Sequence, residues 1–153
     1  MNQWSKTERV PAEVIFSEGI SLCGDLHLQP GSANHLGPET PLEMLNRPEG
    51  FFPLSLPSGE VALLAKTQTA VVICEREPQL PDAERRSIAK SVDLVVRMVG
   101  GTEYRGTAAF EMPPANSRAL DFMNEPERFF ALEDEATTWY INRTLVRHVH
   151  PQD

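Results

Sequence analysis

Apolar and polar positions alternate over short stretches of this chain, and the stretches recur. In "VIFSEGISLCGDLHL" (14–28) the pattern predicts two short strands around a turn at Glu18 and Gly19. The strand period of two then places Leu22, Gly24, Leu26 and Leu28 on one face. "VRMVGGTEYRGTAAF" (96–110) has the same layout, with Tyr104, Gly106, Ala108 and Phe110 in those places. A glycine inside a strand marks a bend or a close backbone approach, so Gly24 and Gly106 read as structural positions. A short helix follows the first strand pair. Thr40 suits its N-cap, Pro41 its first position, and Glu43 completes a capping box. The equivalent helix of the second stretch is expected to start at Ser117. Asn46 and Asn124 each stand two residues before a proline, where a left-handed C-cap and a forced helix stop are expected.

These recurrences belong to one longer repeat. In "LEMLNRPEGFFPL" (42–54) and "LDFMNEPERFFAL" (120–132), Leu42, Asn46, Pro48, Glu49, Phe51, Phe52 and Leu54 reappear as Leu120, Asn124, Pro126, Glu127, Phe129, Phe130 and Leu132. Upstream, Gly19 falls on Gly101 and Gly24 on Gly106; downstream, Lys66 falls on Arg143 and Thr67 on Thr144. The repeats span 12–75 and 92–150, and the polar, Pro-bearing "EREPQLPDAERRSIAKS" between them reads as a linker (76–91) with one or two helical turns from Asp82. The fold expected is therefore mainly β with short helices, built as two small β-barrel-like units packed as a pseudo-symmetric pair.

The paired phenylalanines sharpen this expectation. Adjacent strand residues point to opposite faces, so a small barrel buries only one member of each pair in its own core. The other member needs cover from the preceding helix, the sister repeat or a separate partner. Units of about 60 residues are marginal alone, which favours joining two cores.

The order strand, turn, strand, short helix and three further strands, with "GxxxxG" before an apolar strand and "AKTQT" or "NRTLV" near the end, resembles the Sm-like and SH3-like small barrels. It also resembles short bacterial proteins of uncharacterised function that carry one unit with an "LN" helix end and a following "F.L" strand. The resemblance covers both repeats. In Sm proteins it implies RNA held by basic and aromatic loops of an oligomeric ring. Here the corresponding loops carry the acidic "PSGE" and "EDEATT", which depart from that pattern.

Charge points the same way. Of 153 residues, 22 are acidic and 14 are Lys or Arg, giving a net charge of −8 with the basic residues scattered. Phosphate backbones are bound by concentrated Lys and Arg, so nucleic acid is not the expected partner. The longest apolar runs, "VALLA" and "TAVVIC", are far shorter than the roughly 18–20 residues of a membrane-spanning helix, so no membrane partner is expected. The N-terminus shows no basic segment followed by an apolar one, and a cytoplasmic location is expected. Cys23 and Cys74 are too few for a disulfide scaffold and read as reduced, buried apolar residues.

Catalytic patterns are sparse. Cys23 and His27 are about 13 Å apart along a strand at ~3.3 Å per residue, too far to share a metal, and His148 and His150 have no evident third ligand. Neither "GxSxG" nor a phosphate cradle occurs, and Glu133, Asp134 and Glu135 read as a solvated turn. No enzyme, metal or cofactor is expected. Two function classes remain. One is a protein-interaction module, monomeric or a small homo-oligomer, offering a groove or sheet edge to a protein. The other is a small-ligand or nucleotide sensor with a pocket at the repeat interface, where Arg118, Arg128, Arg143 and Trp139 would favour an anion. The candidate interaction surface comprises Phe52, Phe130, Trp139, Tyr140 and Arg143, since the first repeat has Ala62, Leu63 and Lys66 at the positions of the last three, a divergence toward larger side chains. Trp139 also has a plainer reading as a core filler.

Overall fold

The computed structural model describes residues 7–32, 37–76, 90–110 and 119–152. Among them, ten strands form one antiparallel sheet. The first half contributes β1 (Glu8–Phe16), β2 (Ser21–Leu28), α1 (Pro41–Asn46), β3 (Phe51–Ser55), β4 (Val61–Ala65) and β5 (Thr69–Glu75). The second contributes β6 (Lys90–Met98), β7 (Glu103–Phe110), α2 (Ala119–Met123), β8 (Phe129–Glu133), β9 (Thr137–Asn142) and β10 (Val146–Gln152). One 3-10 turn precedes the last strand of each half, at Lys66–Gln68 and Arg143–Leu145. Ser117 and the helical turns expected from Asp82 lie outside the described residues.

The strand order is β10-β6-β7-β8-β9-β5-β1-β2-β3-β4. Each half therefore runs fifth, first, second, third, fourth, and the halves meet where β5 pairs with β9 from Val71↔Ile141 to Glu75↔Thr137. The sheet is not closed, so the expected pair of barrel-like units is not seen as closed barrels, and the halves meet in an edge-to-edge junction. A five-stranded antiparallel sheet leaves two rows of unpaired backbone groups. Joining β5 to β9 satisfies one row from each half and leaves β4 and β10 as the ends.

Local determinants act alike in both halves. Gly19 and Gly101 adopt φ of 94° and 93°, and their N–H groups donate to Phe16 O and Met98 O in the hairpin turns. Gly24 and Gly106 answer a close approach. A Cβ on Gly24 would overlap the Ser55 carbonyl oxygen and stand 2.9 Å from Leu54 Cγ; one on Gly106 would stand 2.7 Å from Glu133 O. Gly106→Ala is expected to cost about 1–3 kcal/mol, as overpacking against rigid backbone does, with a lowered urea midpoint as the measure.

Helix α1 has the expected capping box: Thr40 N donates to Glu43 Oε1 at 3.0 Å, and Glu43 N donates to Thr40 Oγ1 at 3.2 Å. The expected left-handed cap at Asn46 is not formed. No described non-glycine residue has positive φ, and the helix stops through the extended Arg47 (φ −62°, ψ 152°), the conformation that Pro48 imposes on the residue before it.

Two apolar cores lie along the sheet, and each takes side chains from both halves. Val14, Leu26, Leu45, Phe52, Leu54 and Val72 of the first half are joined by Phe129 of the second. Leu94, Val96, Phe122, Phe130, Leu132 and Ile141 of the second half are joined by Ala70 and Val71 of the first. No helix among the described residues is long and apolar enough to cross a membrane.

Candidate interaction surface

The expected surface phenylalanines are interior. Phe52 and Phe130 are both buried, Phe52 opposite Leu64 in one core and Phe130 edge-to-face on Phe122 at 5.5 Å in the other. The second members of the pairs differ: Phe51 is 62% exposed, whereas Phe129 is 1% exposed. The junction explains the difference. Helix α1 lies over β8, and the Asn46 side chain clamps the Phe129 backbone, Nδ2 donating to Phe129 O at 3.1 Å and Oδ1 accepting from Phe129 N at 2.8 Å. Asn46 is thus a bridge across 83 residues of chain, a role that its position before a proline did not signal.

Arg143 is an internal strut rather than a surface group. Its side chain is 9% exposed, and its guanidinium carbon lies 5.1 Å from the centroids of both Phe122 and Phe130. Nη1 donates to Glu127 O at 2.7 Å and Nη2 to Phe122 O at 3.0 Å, with Glu125 Oε2 at 3.8 Å. Burial pushes its pKa down from the ordinary value, opposed by the neighbouring Glu125 and Glu127. Lys66 does the same work in the first half, Nζ donating to Met44 O and Arg47 O at 3.0 Å each, and its pKa is lowered by burial and then by Arg47. Both cations add a charged donor to a helix-end carbonyl, Met44 O or Phe122 O, that also accepts a backbone N–H, and each binds one further carbonyl just beyond the helix, Arg47 O or Glu127 O.

Trp139 and Tyr140 lie on β9 at the junction, half-buried, opposite Ile73 and Val72. Trp139 contacts the Tyr104 ring at 6.1 Å, and Tyr140 packs on the first core. Asn142, at the end of the same strand, is fully buried. Its Nδ2 donates to Lys66 O at 3.2 Å and Thr69 O at 2.9 Å, and its Oδ1 accepts from Thr144 N at 3.0 Å and Thr144 Oγ1 at 2.7 Å. Sequence reasoning missed this residue because its counterpart, Ala65, bears no polar group.

His27 is buried too, its ring nitrogens each 2.7 Å from a hydroxyl, Thr7 Oγ1 and Ser55 Oγ. His148 and His150 contact each other edge to face at 4.9 Å. Among the described residues no group of three His, Cys, Asp or Glu side chains is placed to hold a metal ion. Cys74 is buried as expected, but Cys23 is exposed, because on β2 it faces away from the side that carries Leu22, Leu26 and Leu28. A thiol reagent is therefore expected to label one cysteine per native chain and two after unfolding, with peptide mapping placing the native label on Cys23.

A cleft of about 340 Å³ lies at the junction, lined by Leu42, Asn46, Phe122, Phe129 and Arg143 and by three carboxylates, Glu125, Glu127 and Glu133. Arg128 and Trp139 are not in its lining, and Arg118 lies outside the described residues. The other surface feature is the free end of the sheet. Strand β4 pairs only with β3, its sequence "VALLA" contains neither charge nor proline, and Leu63 on it is 63% exposed beside the exposed Phe51. No protein-family model, curated protein or solved structure matches the chain significantly.

Proposed function

We propose that this chain is a non-enzymatic interaction module, two copies of one small Sm-like or SH3-like β-unit fused edge to edge, whose free β4 edge receives a protein partner. The matching element orders and strand orders of the halves support the two-unit reading, as do the close approaches at Gly24 and Gly106 and the buried cations at Lys66 and Arg143. One observation carries the interaction reading: β4 is an uncharged strand with one free edge, and the exposed Leu63 on it and Phe51 on β3 are both large and apolar. Protein sheet edges are ordinarily blunted by Lys, Pro or a covering element, and an unblunted edge recruits another strand.

A protein suits this surface better than a nucleic acid. The equivalent cations of the two halves, Lys66 and Arg143, are turned inward onto backbone carbonyls, while Glu49 and Glu60 flank the edge in exposed positions. The chemistry is binding rather than catalysis, because His27, Asn46, Lys66, Asn142 and Arg143 are already engaged in holding the fold.

Affinity capture with the whole protein, run beside Leu63→Lys, tests this reading. Partner proteins identified by mass spectrometry are expected with the wild type and depleted at least about tenfold with the variant, since a lysine at an exposed edge position opposes strand addition. Equal recovery with both proteins would remove β4 as the site. A background-only result would favour the second reading, a ligand at the junction cleft. Its three carboxylates beside one carbonyl-bonded arginine select a neutral or cationic small molecule, for which a thermal-shift screen is the direct assay.

A further inference from the structure

The two ends of the sheet are not arbitrary strands. Inside the chain, the fifth strand of one half (β5) pairs with the fourth strand of the other (β9). The strands left with a free edge are the fourth of the first half, β4, and the fifth of the second, β10. A second copy can therefore present β10 to β4 in the same relation that β5 bears to β9.

The exposed side chains follow this logic. The large exposed hydrophobics among the described residues are Ile20, Phe51, Leu63, Val99 and Leu120. Ile20 and Val99 sit at hairpin tips. The other three are the counterparts of residues that the internal junction covers. Phe51 corresponds to Phe129, which is buried in the first core and clamped by Asn46. Leu63 corresponds to Tyr140, which packs on that core, and Leu120, 64% exposed on α2, corresponds to Leu42, which packs there from α1. Leu42 and Phe129 both line the junction cleft. Leu120 lies in the half that ends in β10, and Phe51 and Leu63 in the half that ends in β4, so the uncovered residues fall on complementary ends.

Polar features agree. Asn124 occupies the position of Asn46; within one chain its Nδ2 donates to Leu120 O at 2.9 Å, and docking would exchange that bond for the Phe51 backbone of the next copy, as Asn46 bridges Phe129. The β10 end carries Arg147, His148 and His150, while Glu49 and Glu60 flank the β4 end. Where β5 offers Val71 and Ile73, β10 offers His148 and His150, and Pro151 stands near its end. The contact between copies is thus more polar than the internal one and of lower affinity.

We infer that the chain self-associates head to tail, β10 and α2 of one copy docking on β3 and β4 of the next. Such a heterologous contact closes into a ring or extends as a filament according to its rotation. The inference rests on the two-unit reading above and names a second copy as the partner of the β4 edge.

Purified full-length protein, with no other protein present, tests it by light scattering over a concentration series. The wild type is expected to reach at least twice the monomer mass. Leu63→Lys damages only the β4 end and Leu120→Lys only the β10 end; both positions are exposed, so circular dichroism should show both folded. Each variant alone is expected to be monomeric. Mixed, they retain one intact end apiece and are expected to give a one-to-one dimer. A wild type that stays monomeric to about 1 mM, the weak end of specific association, would overturn the inference. Variants that assemble as the wild type does, or a mixture that fails to dimerise, would also overturn it. A monomer that nevertheless captures a different protein through β4 would leave the interaction-module reading standing and remove self-association alone.

Discussion

Arg143→Met is expected to lower stability by about 3–5 kcal/mol, the order of losing two hydrogen bonds from one buried, charged donor. Methionine fills much of the space between Phe122 and Phe130, so the loss measures polar connections rather than a cavity. The substitution withdraws the donors from Glu127 O and Phe122 O and leaves Glu125 without its nearby cation. Phe122 O keeps its bond from Glu125 N and Glu127 is exposed, so the loss is that of two hydrogen bonds from a charged donor, roughly 1.5–3 kcal/mol each. Arg143→Lys is expected to recover part of this, because Lys66 performs the equivalent task with two carbonyls at 3.0 Å. A lysine cannot, however, span the separate Glu127 and Phe122 carbonyls as the planar guanidinium does. Urea denaturation of the three proteins checks the ranking wild type, Arg143→Lys, Arg143→Met. If Arg143→Met unfolds at the wild-type midpoint, the strut assignment fails and Arg143 returns to the set of available surface groups.

That position shows where the sequence was legible and where it was not. The correspondence of Lys66 with Arg143 could be read from the repeat, but the direction of the two cations could not, because it depends on carbonyls at the ends of helices separated from them along the chain. Strand positions, hairpin turns, the capping box and the tight approach at Gly24 and Gly106 were accessible because each is decided by neighbours in sequence or by a period of two. The junction was not. Phe51 and Phe129 occupy closely similar contexts in "RPEGFF" and "EPERFF", yet one is exposed and one buried, since only the second is covered by α1 and joined to β5 through β9. Local sequence carries no mark of which copy stands at the end of a sheet. The same limit misplaced Phe52 and Phe130: the argument that one phenylalanine of each pair needs a cover was sound, but the uncovered member is the first, and in the second half the first half covers it. Cys23 was assigned to the interior by residue type, and the pleat of β2 places it outside.

Asn142→Ala is expected to cost about 3 kcal/mol, the other large effect, and its origin is the junction rather than either half alone. The amide makes four hydrogen bonds from a fully buried position, two to Thr144 in its own half and two to the carbonyls of Lys66 and Thr69 in the other. Truncation strands several of those groups away from water. Phe129, the register partner of Asn142 across β8 and β9, is held from the far side by Asn46. Asn46→Ala alone, which removes two hydrogen bonds from a partly buried site, should cost about 1–2 kcal/mol. The double variant should depart from additivity by at least about 0.5 kcal/mol, since both side chains stabilise one backbone segment. Each core borrows side chains from the other half, so opening the junction exposes Phe129 from one and Val71 from the other. The halves are therefore expected to unfold in a single transition. With Trp4 replaced by Phe, fluorescence of Trp139 reports on the second half, and far-ultraviolet circular dichroism reports on the whole sheet. Coincident curves in wild type and Asn142→Ala would place the junction inside the cooperative unit. A curve for Asn142→Ala that separates into two steps would show instead that each five-stranded half holds its fold alone, and that β5 and β9 adhere as two finished surfaces.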